Sequence, residues 1–335
     1  MLTEFSLDNM FFESEHLDSK GNNRSFIERW KEYGVLILAE GQSEEVFLEK
    51  LKEKIQNKKI PATVYQDWQN AFLDNKVFLS NKKWGNYCDY SDYSEILALN
   101  DQFKTGITEE TSFGLVKFLP NYISCCPVTK FEVVEFDEHH SSKNIQRSYY
   151  ESRSDIVRDS DIAVIWSNKF HTLAKYSKNI VIIDRYFFEN LRKDIGIKKK
   201  TSIECFIEFL KEYNKKYNIT IISVGGNGQS CEKNTIDTFF DELSDSEHSN
   251  TFNKIELISK GESFFQRISH DRFISFDEFV CTIGVGFAIF QDYSLSQTSF
   301  NIVREEYSSI NERIRLAYKS CEWKKEYLPK DKKAP

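Results

Sequence analysis

The sequence predicts an α/β protein, with a mixed β-sheet sandwiched by helices in the C-terminal half and an N-terminal α+β domain whose topology the pattern leaves open. Three observations carry this prediction. From about residue 161, strand-length apolar runs alternate with amphipathic stretches in the order β-α-β-α-β, followed by a hairpin, as a layered sheet requires. Thr201 and Glu204 have the spacing of a capping box where the pattern turns helical. A polar run over 137–160, "DEHHSSKNIQRSYYESRSDIVRDS", divides a chain of 335 residues, a length that suits about two domains.

In chain order, residues 1–30 read as an N-terminal extension containing the polar break "DSKGNNRS". The N-terminal domain, of unassigned role, occupies 31–150. It opens with a strand in "YGVLILAEG" and a helix in "QSEEVFLEKLKEKIQN". In that helix Phe47, Leu51 and Ile55 share a face, acids crowd the first turn and lysines the last. "PATVYQDW", "EILALN", "FGLVKFL" and "KFEVVEFDE" read as short strands or apolar turns.

The second domain spans 160–295. Strands are predicted in "DIAVIWS", "NIVIIDRYFF", "ITIISVGG" and "NKIELIS", and helices in "TSIECFIEFLKEYNKKYN" and around "NTIDTFFDEL". A C-terminal helix over 297–320 would place Phe300, Val303, Tyr307, Ile310 and Ile314 near one stripe, and 324–335 reads as a loose tail.

A net charge of -7 argues against a surface that coats nucleic acid or anionic membrane as a whole, but permits a local basic patch such as "RKDIGIKKK" (192–200). Seven cysteines, an odd number and several of them inside apolar runs, suit free thiols in a reducing cytoplasm. No apolar run approaches the roughly 18 to 20 residues that span a bilayer, and "MLTEFSLDNMFFESEHL" is too acidic for a signal peptide, so the expected location is cytoplasmic. No cofactor and no metal is expected. "SVGGNGQS" fits neither phosphate-loop fingerprint, and His139 and His140, beside Asp137 and Glu138, would point opposite ways on an extended chain.

The chemistry concentrates in "ISHDRFISFDEFVCTIGVGFAIF". His270 and Arg272, two apart on a strand, project together while Asp271 faces away. A guanidinium offers a forked, permanent donor set to phosphate, and an imidazole can attack phosphorus or protonate a leaving oxygen near neutral pH. Asp277, at the following turn, is the candidate to fix the histidine tautomer. Upstream, Asp184, Arg185 and Tyr186 end a strand, where α/β sheets form crevices. The plain alternative is a satisfied His270–Arg272 pair on an exposed hairpin.

The spacing of His270, Arg272, Asp277 and Gly284 resembles the H-x-K-x4-D-x6-G register of the phospholipase D superfamily, with arginine in place of lysine. The lead-in and the "HDR" hairpin ending in Gly284 and Gly286 more closely resemble the phospholipase D-like C-terminal domain of MIT-domain proteins and bacterial relatives. This resemblance covers about 160–295, less than half the chain.

It implies a metal-independent phosphodiesterase, most readily a nuclease, with His270 as nucleophile, Arg272 as phosphate clamp, and Asp184, Arg185, Tyr186, Gly284 and Gly286 around the phosphate. No second copy of the motif is present, so activity implies a homodimer pairing two His270 side chains. By analogy of architecture, an effector role in prokaryotic antiphage defence goes with it. The MIT-domain relatives resemble phospholipid binders, so the alternatives are a module that holds nucleic acid or a phospholipid headgroup without turnover, and an interaction protein that meets a protein partner through its N-terminal domain. Arg185 stands where the relatives have proline, Val285 where the superfamily has serine, and Phe287 where it has asparagine. Separately, Glu40 and Gly41 faintly resemble the glutamate motif of Toprim nucleases, without a clear D-x-D partner.

Overall fold

A computed structural model describes residues 1–57, 60–225, 230–267, 272–291 and 297–330, with the side chains of 230–232 and 267 left out. The chain divides into two compact units, Met1–Glu151 and Ser152–Pro335.

The N-terminal unit is built on five strands: β1 (Thr3–Leu7), β2 (Gly34–Leu38), β3 (Val77–Leu79), β4 (Thr105–Thr108) and β5 (Glu132–Glu135). They form one sheet in the order β3-β2-β1-β4-β5, with every neighbouring pair parallel. This is a doubly wound arrangement whose strand order reverses between β1 and β4, so the unit is α/β rather than α+β. The expected N-terminal extension is in fact the centre of the sheet. "TEFSL" is buried along its whole length, but its polar alternate residues hide the strand, and Thr3 satisfies its hydroxyl against Ser148 at 2.7 Å. The break "DSKGNNRS" is a helix start: Ser19 caps Lys20–Tyr33, which sends Phe26 and Trp30 into the core.

Three of the four short apolar segments that were expected as strands or turns are helical. "PATVYQDW" opens the helix Ala62–Asp74, where Val64, Trp68, Ala71 and Phe72 are buried at helical spacing. "EILALN" runs through the helix Tyr93–Leu97 and a following 3-10 turn, and "FGLVKFL" closes the helix Glu110–Lys117, with Phe118 at its C-cap. Short aromatic-rich runs satisfy both the two-residue and the 3.6-residue period, so periodicity alone does not separate them. Packing decides: Trp68 meets Phe11, Phe26 and Phe47 at ring separations of 4.9 to 5.7 Å.

The C-terminal unit holds seven strands: β6 (Asn179–Ile183), β7 (Tyr217–Val224), β8 (Phe252–Lys260), β9 (Phe273–Phe276), β10 (Phe279–Ile283), β11 (Phe300–Arg304) and β12 (Trp323–Tyr327), in the order β11-β10-β9-β6-β7-β8-β12. Strands β6, β7 and β8 are parallel; β9, β10, β11 and β12 join antiparallel. Helical elements cover both faces, because Phe273 and Phe276 on β9 point oppositely. Phe273 packs in a cluster with Phe264, Phe265, Ile310 and Ala317, while Phe276 meets Phe170 and Phe206. The capping box at Thr201 and Glu204 is formed, each side chain accepting from the other's backbone N–H at 3.3 and 2.8 Å.

Three expectations fail here. "DIAVIWS" is helical from Ile162, capped by Asp161. The stretch 297–320 is divided into β11, where Phe300, Ile302 and Arg304 alternate inward, and the helix Ile310–Lys319. The supposed loose tail contributes β12, held on the edge of β8 by backbone pairing and by Lys324 on Glu256 at 2.8 Å. The six described cysteines are free thiols, and no described helix is long and apolar enough to cross a membrane.

Candidate phosphate-binding site

Register assembles the site. β6, β7 and β8 run parallel, so their carboxyl ends share one edge, and Asp184, Arg185 and Tyr186 follow β6 there. β9 is antiparallel to β6 with Phe273 opposite Ile183, which delivers Arg272 to the same edge. β10 returns alongside, its Ile283 N–H donating to the Arg272 carbonyl at 3.0 Å, so Gly284 and Gly286 arrive beside Arg272. Six of the eight expected site residues are thereby brought together: Asp184, Arg185, Tyr186, Arg272, Gly284 and Gly286.

Asp184 is the buried centre, 2% exposed. One carboxylate oxygen accepts the Tyr186 N–H at 2.9 Å and the other the Phe287 N–H at 2.7 Å. Burial pushes its carboxyl above the ordinary aspartate range, while those two N–H groups and the Arg272 charge pull it back. Arg272 donates from Nη1 to the Gly284 carbonyl at 2.5 Å, and its Nε stands 4.0 Å from Asp184 Oδ1.

The guanidinium of Arg272 also lies 5.0 Å from the centre of the Tyr186 ring. Arg185 lies 5.3 Å from that same ring and pairs with Glu262 at 2.5 Å, with its Nε buried and unbonded among the described residues. Beside this group opens a cleft of about 240 Å³, lined by Arg185, Tyr186, Glu189, Arg192, Val224, Gly225 and Glu262 among others.

The glycines make the close approach. Gly286 has φ +67°, and a Cβ there would overlap both the Asp184 carboxylate and the Arg272 side chain; at Gly284 it would meet Thr298 Oγ1 at 2.7 Å. Val285 and Phe287, which stand where the resembling pattern has serine and asparagine, make other contacts. The Val285 N–H donates to Thr298 Oγ1, and Phe287 is buried against Phe187, Phe206 and Phe290.

Asp277 does not belong to this group. It sits at φ +47° in the β9–β10 turn, where its carboxylate accepts the backbone N–H groups of Lys178 and Asn179 at 3.0 and 2.9 Å and the Asn179 side-chain amide at 3.0 Å. The extended β9 separates it from Arg272 by roughly 16 Å of chain. Its work is to pin the entry of β6. We expect Asp277→Ala to cost about 2 kcal/mol in urea unfolding, through lost hydrogen bonds and left-handed strain, while leaving ligand binding at the Arg272 edge unchanged. His270, the predicted nucleophile, lies outside the described residues.

Glu262 and Arg192 join the cleft without having been singled out as site residues. Glu262 begins the helix Glu262–Arg267 directly after β8, so the strand-end rule applied to β8 as well as β6 would have found it. In comparisons with known proteins, the chain matches no family model and no curated sequence.

Proposed function

We propose that the C-terminal unit, with a phospholipase D-like fold, is a phosphate-recognition module acting in the cytoplasm, and that it holds a nucleic-acid backbone at the Arg185–Tyr186–Arg272 edge. The carrying observation is two guanidinium groups placed on one half-exposed tyrosine ring. Among the described residues their counter-charges are incomplete: Glu262 answers Arg185, but the carboxyl nearest Arg272 stands 4.0 Å away, and burial pushes it above the ordinary aspartate range. An incoming phosphate supplies the missing negative charge to forked donors, and the exposed side of Tyr186 gives a base a surface to stack on.

The test is fluorescence anisotropy with a short single-stranded oligonucleotide. Affinity should fall with salt, and Arg272→Ala should weaken it about tenfold, the loss of about 1.4 kcal/mol that one charged contact supplies. Binding that ignores both salt and Arg272 would reject the module. Vesicles carrying anionic phospholipid, run in parallel, separate a headgroup ligand from a nucleic acid.

A second reading, phosphodiester cleavage, is favoured by one observation: Arg272 reaches the carboxyl edge, and His270 precedes it by two residues in the chain. In that reaction the imidazole nitrogen attacks phosphorus, the ester oxygen leaves with a proton, and water then releases the phosphoryl group from the histidine. Cleavage in EDTA that disappears in His270→Ala, by a species that sediments as a homodimer, would establish it, and loss of phage protection in the same variant would test a defence role. The module reading is preferred because Asp277, the expected histidine orienter, is committed at the other end of β9.

A further inference from the structure

We propose that His16, Glu110 and Asp137 form a binding site for one divalent cation of the Mn²⁺ type at the carboxyl edge of the N-terminal sheet, a site separate from the phosphate-recognition edge. One ligand atom from each residue lies within 4.8 Å of the other two. His16 Nε2 stands 3.4 Å from Asp137 Oδ2 and 3.8 Å from Glu110 Oε1. These separations are too long for good hydrogen bonds, and they match neighbouring ligands on a sphere of roughly 2.1 Å radius around a metal ion.

Two further observations support the site. Asp137 Oδ1 is buried and has no hydrogen-bond partner among the described residues, a state that an ion beside the carboxylate would relieve. Glu110 is held in place by the Ser14 hydroxyl, which donates to the same Oε1 that faces His16, at 2.5 Å, and leaves that oxygen a second lone pair for an ion.

Topology places the cluster independently. Glu110 and Asp137 each stand two residues past β4 and β5, and His16 lies in the 3-10 turn Glu15–Asp18 of the connection that leaves β1, so the ligands come from the segments that follow three adjacent parallel strands. The strand order reverses between β1 and β4, where doubly wound sheets open a crevice for ligands. One imidazole with two carboxylates favours Mn²⁺ or Zn²⁺ over the all-oxygen cages of Ca²⁺ and Mg²⁺. Three protein ligands leave coordination positions open to water or substrate oxygen.

The neighbouring pair His140–Glu138, 3.4 Å apart and exposed, has the same chemistry without the third ligand and serves as the control. His139, which the sequence sets beside it, turns inward, Nδ1 meeting the Phe136 carbonyl at 2.8 Å.

Mn²⁺ is the probe, because the free cysteines would also take Zn²⁺. Titration of the full chain followed by electron paramagnetic resonance should show one bound Mn²⁺ per chain. His16→Ala and Asp137→Asn should each weaken binding at least tenfold, while His140→Ala leaves it unchanged; His16→Gln replaces His16→Ala if the latter does not fold by circular dichroism. Absence of stoichiometric binding, or equal affinity in the His16 and Asp137 variants and the wild type, overturns the site.

Discussion

Gly286→Ala is expected to destabilise the C-terminal unit by about 3 to 4 kcal/mol and to abolish binding at the Arg272 edge. A methyl group in the left-handed region costs about 1 to 2 kcal/mol by itself. The remainder is steric: the new Cβ has no room between the Asp184 carboxylate and the Arg272 side chain, and overpacking of this kind costs about 1 to 3 kcal/mol. Relief requires the chain after β10 to move outward, which takes the Phe287 N–H from Asp184 and leaves a buried carboxylate short of a donor. Gly41→Ala is the control. Gly41 has φ +85° and nothing described within 4 Å, so it should lose only the backbone part. Urea unfolding followed by hydrogen exchange measures each variant in its own unit, in β6 and β9 for Gly286→Ala and in β1 and β2 for Gly41→Ala. Equal losses in the two would mean that the Gly286 contact carries no energy of its own.

That contact is also where sequence and structure agree best. Buried parallel strands announce themselves as continuous apolar runs, so β6, β7 and β8 were legible, and the strand-end rule put Asp184, Arg185 and Tyr186 at a crevice. The spacing from Arg272 to the glycine pair was informative because a tight hairpin fixes register. Asp277 shows the limit. It stands on the same hairpin, but an extended strand carries five residues a long way, and only pairing with β6 reveals that its carboxylate faces Lys178 and Asn179.

The centre of the N-terminal sheet was hidden for another reason, although its neighbour β2 was legible in "YGVLILAEG". β1 has a glutamate and a serine among its five residues, and its neighbours are short, so the pattern that marks a strand was diluted where the core depends on it most. The cation cluster could not be read from the chain at all, since His16, Glu110 and Asp137 are distant in sequence and meet only through the strand order.

The N-terminal unit should become less stable as pH rises from about 4 to 7, by up to about 3 kcal/mol from one residue, Asp8. Asp8 follows β1 and is 2% exposed; its carboxylate accepts the Phe11 N–H at 3.2 Å, and the Tyr87 N–H and Thr108 hydroxyl at 3.0 Å each. Burial pushes its carboxyl up from 3.8 to about 6 despite those donors. Below the unfolded value, both states hold the proton and the group has no effect on stability. Between 3.8 and about 6 the folded chain keeps a proton that the unfolded chain has released, so each rise in pH favours unfolding. Above about 6 both states are ionised and the full cost of the buried charge is in place. Asp8→Asn should remove this dependence, although its amide must set one N–H donor against another, which lowers stability by a constant amount. Other titrating groups cancel in the difference between variant and wild type. Urea midpoints of both proteins at pH 4.5, 6 and 7.5 should show that difference shifting in the variant's favour as pH rises. A flat difference would place the Asp8 proton outside the folding equilibrium.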